Sequence, residues 1–182
     1  MAELLDLDAA LMRRVAAGDA GAFRRLAESH LPRAVGFATR LVGRRDIAEE
    51  LVQEAFAVVW EKAAVWRPEA RFRTWLYRVI ANLASKHRRD RLRDHELLDE
   101  AVADDGPGVE ERLLTGERQT AVRQALLELP ERQRLAVVLF YYEEMSQREA
   151  CQAMGIGEGA FESLLSRGKA GLRARLAGNT LL

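Results

Sequence analysis

Residues 70–93, near the middle of the chain, read ARFRTWLYRVIANLASKHRRDRLR. No glycine or proline interrupts it, which predicts a helix of roughly twenty residues. Its charged side chains are cationic, with Asp90 as the only acid. The aliphatic residues that recur at helical spacing and form an inward-facing stripe are Leu76, Val79, Ile80 and Leu83.

The surface of this predicted helix combines aromatic rings with positive charge. Three aromatic residues lie at the start of the predicted helix and are called its aromatic entrance: Phe72, Trp75 and Tyr77. The far end of the helix is basic. A polyanion that carries flat bases suits such a surface. The alternative is a solvated charged helix face, because runs of charge are common in proteins. For Phe72 and Trp75 a further alternative is packing in the core, which we favour for Trp75.

The overall charge balance hides a strong segregation of charge. The 182 residues include 28 basic and 28 acidic side chains, so the formal net charge is zero. The basic stretch is followed directly by an acidic one, residues 94–117. Because charges act over a Debye length of about 10 Å, each patch is felt separately by a partner. A neutral total therefore does not exclude binding to nucleic acid.

Several classes of protein are disfavoured by what the sequence lacks. Cys151 is the only cysteine, which excludes an internal disulfide or a cysteine metal cluster. The three histidines are scattered, and no nucleophile elbow or phosphate-binding glycine loop occurs. We therefore expect no catalysis, no metal, no cofactor and no small-molecule substrate. Without a signal peptide or an apolar run of about 20 residues, we expect a soluble cytoplasmic protein.

Helical periodicity continues on both sides of the basic stretch and predicts an all-α fold. Asp19 is expected to cap a helix that Gly43 ends, with Pro32 kinking or splitting it. Asp46 is expected to open the next helix, with Glu49 completing a capping box. The stripe of that next helix includes Trp60, and acidic side chains line its other side.

The second half reads as a compact helical set that ends in a helix-turn-helix. Pro130 suits the first turn of a helix. Ser146 and Glu149 form a capping box, and Gly155 takes the turn before a last helix from Glu158. The turn cluster at 104–108 marks an acidic linker. We predict two small helical domains, 1–93 and 110–182, joined by a linker at 94–109.

Two residue clusters resemble a known family. Residues 46–56 (DIAEELVQEAF) with 72–84 (FRTWLYRVIANLA) resemble region 2 of bacterial sigma factors. Residues 129–134 (LPERQR) with 146–149 (SQRE) and the helix-turn-helix resemble region 4. Two regions joined by an acidic linker are typical of the extracytoplasmic-function (ECF) group. The resemblance implies an alternative sigma factor that directs promoter-specific initiation, with core RNA polymerase, promoter DNA and an anti-sigma factor, often membrane-anchored, as partners.

The resemblance also implies site residues. Region 2 would contact core polymerase through Asp46, Glu49, Glu50, Gln53, Glu54 and Phe56. It would melt DNA and recognise the downstream promoter element through Arg71, Phe72, Arg73, Arg78, Asn82, Lys86 and Arg89. Region 4 would recognise the upstream element through Ser146, Gln147, Arg148, Gly159, Glu162, Ser163, Arg167, Lys169 and Arg173.

The recognition helix departs from the family pattern at its start. Glu162 stands where a lysine or arginine is common, and the basic residues begin only at Arg167. Glu162 could accept a hydrogen bond from a cytosine amino group, or it could simply be exposed. A stand-alone dimeric helix-turn-helix repressor is the alternative function. Such a repressor does not need residues 46–56 beside 72–82.

Overall fold

A computed structural model of the protein describes residues 2–98 and 117–179, and these form helices connected by short turns. The predicted all-α class is confirmed for this part of the chain. The turn cluster at 104–108 lies outside the described residues. In chain order the elements are α1 Ala2–Ala16, α2 Ala20–Val42, α3 Arg45–Lys62, α4 Phe72–Leu98, α5 Glu117–Leu127, α6 Glu131–Val137, a π-helix Val138–Tyr142, α7 Gln147–Met154 and α8 Glu158–Asn179.

Most helix ends lie where the local chemistry predicts them. Asp19 caps α2, because its Oδ1 accepts a hydrogen bond of 2.9 Å from the amide of Ala22. That hydrogen bond, together with Arg14, lowers the pKa of Asp19. Gly43 ends α2 in the left-handed conformation, with φ of 81°, which glycine adopts without strain. Ser146 and Glu149 form the predicted capping box at the start of α7.

The predicted capping box at Asp46 is wrong. Helix α3 begins at Arg45, and its N-cap residue, Arg44, makes no side-chain cap. Asp46 instead lies in the first turn, 2.5 Å from the guanidinium of Arg44, while Glu49 pairs with Arg45 at 2.8 Å. Two arginines directly before the carboxylates compete for them, and the hydrogen bond from Arg44 lowers the pKa of Asp46. Acidic side chains in the first turn of a helix still interact favourably with the helix dipole.

Pro32 does not split α2, which runs without a break from Ala20 to Val42. The proline lies on the exposed side of the helix. Buried residues on both sides of it, including Leu26 and Phe37, anchor the two halves of α2 in the same core. Tertiary packing therefore compensates for the hydrogen bond that proline removes.

The buried residues of the two helical sets form one continuous core. Helices α1–α4, the first domain, surround Phe37, Leu76 and Ile80, which are fully buried. Helices α5–α8 and the π-helix, the second domain, surround Phe161 and Leu139. The two domains also contact through a hydrogen bond that the Arg123 side chain donates to the backbone carbonyl of Gly43.

Gly168 sits where α8 packs against α6. A Cβ added there would lie 2.7 Å from Cγ2 of Val137 and 3.1 Å from the carbonyl oxygen of Gln133. Val137 is buried and β-branched, and the carbonyl belongs to the backbone, so neither atom can move away easily. The glycine that looks costly inside a helix is therefore required by the packing.

We expect Gly168→Ala to destabilise the protein by about 1–3 kcal/mol, because the overpacking exceeds the gain in helix propensity. The matched control is Gly159→Ala in the same helix, where an added Cβ meets nothing within 4 Å. That control should stabilise the protein by up to about 1 kcal/mol. Urea unfolding of both variants measures the two signs. A stabilising effect of Gly168→Ala would show that the crossing is looser than described.

Candidate nucleic-acid interface

The basic helix α4 presents one exposed polar row to solvent. Asn82, Lys86 and Arg89 are all exposed and follow one another at helical spacing. The guanidinium of Arg89 donates to Ser85 Oγ at 3.0 Å, which holds it along the helix. The opposite face of α4 is buried through Leu76, Ile80 and Ala84, so the row is rigidly oriented. Such a row can contact phosphates and base edges.

The aromatic entrance of α4 is mostly inside the protein. Phe72 and Tyr77 are buried, whereas Trp75 is half-buried. The Phe72 ring lies 4.9 Å from the ring of His30, between α2 and α4. Our prediction that Phe72 contacts DNA is corrected here, because its side chain is part of the core. Phe72 belongs to the stripe that continues through Leu76 and Ile80.

Three other cations of the first domain were predicted to bind DNA. Two of them lie beside the second domain, and the third is half-buried. The Nε of Arg71 lies 3.2 Å from Glu149 Oε1, and Nη2 of Arg78 lies 3.6 Å from the position that a Cβ on Gly155 would take. Arg73 is half-buried. A cavity of about 500 Å³ separates Arg78 and Trp75 from the helix-turn-helix. The start of α4 therefore faces α7 across this cavity, and Arg78 remains exposed.

The helix-turn-helix is held together by its own polar contacts. Gln147 Nε2 donates to Glu162 Oε1 at 2.9 Å, which joins α7 to α8. Ser146 caps α7 through Glu149. Burial would raise the pKa of Glu149, but the hydrogen bonds from Ser146 and the charge of Arg71 keep it below its usual value. Glu162 is thus exposed and already bonded within the motif.

The remaining predicted residues of the second domain lie along α8 and at the start of α7. Arg148, Gly159, Ser163 and Arg173 are exposed. Arg167 folds back onto its own helix, with Nη2 3.0 Å from Ser163 Oγ. Lys169 Nζ lies 6.0 Å from the centre of the Tyr141 ring. Cys151 is a small buried residue between the helices, and burial raises the pKa of its thiol.

An acidic face covers the exposed side of α3. Asp46, Glu50, Gln53 and Glu54 are exposed, and Glu49 is half-buried. Phe56, which we predicted to contact polymerase, is buried instead. Its ring meets the Phe23 ring edge-to-face at 6.2 Å, so it supports α3 from below.

Sequence reasoning missed two kinds of residue. The sequence pattern places Trp60 in the apolar stripe of α3, yet 42% of this residue is exposed beside the acidic face. Trp60 stands at the end of the apolar stripe, where the rotation of the helix relative to the stripe turns the side chain outward. That position could have indicated its exposure. Glu143 was assigned no role, yet it is buried and bonded to Tyr77 across the domains. No local pattern could indicate a contact between residues so distant in sequence.

Within residues 2–98 and 117–179, no helix is both long and apolar enough to cross a membrane. Over the same ranges, no group of histidine, cysteine and acidic residues is arranged to hold a metal ion.

Comparison with known proteins identifies the family. The family model of Sigma-70 region 2 matches residues 26–94, and that of Sigma-70 region 4 matches residues 119–172. The ECF RNA polymerase sigma factor SigM of Mycobacterium tuberculosis is 33% identical over 94% of this chain and 85% of its own length. This chain belongs to the ECF sigma factors. The two matched regions coincide with the two candidate DNA-binding surfaces of the sigma factor.

Solved structures of similar proteins share this fold. CnrH, solved in complex with the cytosolic domain of CnrY, has a TM-score of 0.71 and 26% identity, covering 94% of this chain and 98% of CnrH. RpoE of Bartonella quintana, solved with the anti-sigma factor NepR, also has a TM-score of 0.71 and 26% identity, covering 85% of this chain and 96% of RpoE. The sigma factor is thus not a stand-alone repressor, because region 2 occupies its first domain.

Proposed function

We propose that this sigma factor binds core RNA polymerase through the acidic face of α3 and opens promoter DNA along α4. It acts in the cytoplasm and has no catalytic activity of its own. The observation that carries the proposal is the exposed row of Asn82, Lys86 and Arg89 on a helix whose other face is fixed in the core. A fixed row can read bases that melting exposes, whereas the cations nearby neutralise phosphates.

The direct test is run-off transcription. Purified core polymerase is mixed with this protein and with templates from a promoter panel, and transcripts are mapped. We expect defined start sites that depend on added protein. Transcription that does not change when the protein is added would contradict the proposal.

Control by an anti-sigma factor is supported by a cavity between the domains. This cavity of about 400 Å³ is lined by apolar residues and by several cations. One of the cations, Arg134, is buried with its Nε unbonded, and burial followed by the charge of Arg88 lowers its pKa. An acidic amphipathic helix matches these features. The test is whether a partner purified with the tagged protein stops run-off transcription.

Asn82→Ala is expected to lower open-complex formation about tenfold at some promoters and to spare others. Asparagine reads adenine edges, and a base contact discriminates by about 1–3 kcal/mol. Binding to core polymerase should not change, because Asn82 lies on α4 and not on the acidic face of α3. Permanganate footprinting across the promoter panel measures opening. A uniform loss across all promoters would instead indicate a phosphate-binding role.

The double change Lys169→Ala and Arg173→Ala is expected to weaken promoter binding severalfold and evenly across sequences. Both residues lie in the later part of α8, whereas the start of α8 carries Glu158 and Glu162. Cations that contact phosphates position the protein without reading sequence. Filter binding with the same panel measures the effect. A change in promoter preference would show that these residues read bases.

A further inference from the structure

The cavity of about 400 Å³ between the domains has apolar walls on both sides. Half-buried aliphatic side chains line it from α2, α3, α5 and α6: Leu41, Val42, Ile47, Leu127 and Leu135. Because these side chains are not fully covered by the protein, they present apolar surface to the space between them. The volume lies within the range of about 300–1,000 Å³ that is usual for sites of small molecules.

Positive charge gathers on another part of the same lining. Arg88 and Arg91 of α4 line the cavity together with Arg134 of α6. Among the described residues, Glu131 is the only acid in the lining, and its carboxylate lies 3.9 Å from Arg88, whose side chain is 53% exposed. Cations therefore outnumber acids in the cavity, and an anionic group would be attracted to it.

Arg134 is the cation whose environment most favours a bound anion. It is only 7% exposed, yet its Nε has no hydrogen-bond partner among the described residues. Burial and the nearby positive charge of Arg88 both act against its charged form, and Glu131 offsets them only in part. A buried cation is unfavourable unless it is paired and hydrogen-bonded. A carboxylate or phosphate oxygen at this Nε would supply both the missing hydrogen bond and the opposite charge.

The apolar walls and the buried cation together define the chemistry of the ligand. A small inorganic anion would leave the aliphatic walls in contact with water, and a hydrocarbon would leave Arg134 without a partner. Leu92 also lines the cavity and is 55% exposed, so the apolar lining continues to the surface of the protein. A molecule with an anionic head and an alkyl chain satisfies both parts of the lining.

We propose that this cavity binds a small amphipathic anion, with a carboxylate or phosphate head at Arg134 and an alkyl chain against the apolar walls. Binding of the anion requires neither polymerase nor DNA. Its consequence for control rests on the proposed function, because the acidic amphipathic helix of an inhibitor would use the same lining. The anion and such a helix exclude each other from the cavity.

The test measures binding to the full chain by isothermal titration calorimetry, without polymerase. The probes are decanoate and decyl phosphate, which carry the two kinds of anionic head on the same chain. Acetate lacks the chain, and decyltrimethylammonium reverses the charge of the head. All are used below the concentrations at which they form micelles. We expect at least one decyl anion to bind at one site, at least about tenfold more tightly than acetate or decyltrimethylammonium.

Three variants show whether the anion occupies this cavity. Arg134→Met should weaken binding about tenfold, because a charge-assisted hydrogen bond is lost. Ala81→Leu adds volume to the lining and leaves every charge in place, so it should weaken binding similarly by excluding the chain. The matched control is Arg132→Gln, which removes an exposed arginine of α6 outside the lining and should leave binding unchanged.

Circular dichroism establishes that each variant is folded, and Arg91→Gln replaces Arg134→Met if the latter unfolds. The proposal is overturned if neither decyl anion binds more tightly than acetate and decyltrimethylammonium. It is also overturned if the arginine variant and Ala81→Leu both bind as the wild type does, because the anion would then lie elsewhere. Run-off transcription is measured separately. Binding that follows these expectations in a protein that supports no transcription would support the site and contradict the proposed function.

Discussion

Replacing Glu50 and Glu54 together by lysine is expected to weaken binding to core polymerase by about 100-fold. Both carboxylates are exposed on the acidic face of α3, the face that we propose as the polymerase-binding surface, and α3 lies within the residues that match Sigma-70 region 2. Reversing two charges replaces attraction by repulsion, and close interfacial charge pairs contribute about 1.5 kcal/mol or more each. The measurement is the affinity of labelled variant for core enzyme, read by fluorescence anisotropy.

The controls for this prediction separate lost binding from lost folding. Exposed charge changes move stability by about 0.5 kcal/mol or less, so the melting temperature should stay close to that of the wild type. Glu28→Lys, an exposed glutamate on α2, makes one such charge reversal outside the acidic face of α3 and should leave affinity almost unchanged. Equal affinity of the double variant and the wild type would remove α3 from the polymerase interface.

Phe161→Ala is expected to destabilise the protein by about 3–5 kcal/mol, the usual cost of removing a fully buried phenylalanine. The ring is 0% exposed and lies 6.2 Å from the Phe140 ring, where α8 meets the rest of the second domain. The loss leaves a cavity under the recognition helix. Urea unfolding followed by circular dichroism measures the free energy of unfolding.

The matched control for this variant is Ser163→Ala in the same helix. Ser163 is exposed, so its replacement should change the free energy of unfolding by about 0.5 kcal/mol or less. Phe161→Leu should give an intermediate loss because it retains part of the buried volume. A cost below about 1 kcal/mol for Phe161→Ala would mean that the surrounding core collapses into the cavity.

The helices and their boundaries were predictable where local chemistry decides them. Gly43 and Gly155 end helices because each adopts a left-handed conformation. Asp19 and Ser146 begin helices through their own side-chain oxygens. The prediction failed at Asp46, where neighbouring arginines take the carboxylates, and the deciding competition is between several side chains.

The site was less predictable because its geometry depends on contacts between distant segments. Periodicity alone placed Asn82, Lys86 and Arg89 on one side of α4, which the structure confirms. The burial of Phe72 could have been predicted from its spacing of four and eight residues to Leu76 and Ile80. Its aromatic ring instead suggested an exposed residue that contacts DNA. The burial of Tyr77 and its bond to Glu143 join residues 66 positions apart, which no window of sequence reveals.

Three ion pairs between the domains have the same polarity, so the contact between the domains depends on ionic strength. Arg40, Arg71 and Arg88 of the first domain face Glu143, Glu149 and Glu131 of the second. Salt screens these attractions, most strongly at the exposed Arg88 pair, and so weakens the contact between the two domains. The buried Glu143 pair is screened least, so the contact should loosen first at the Arg88 end as the salt concentration rises.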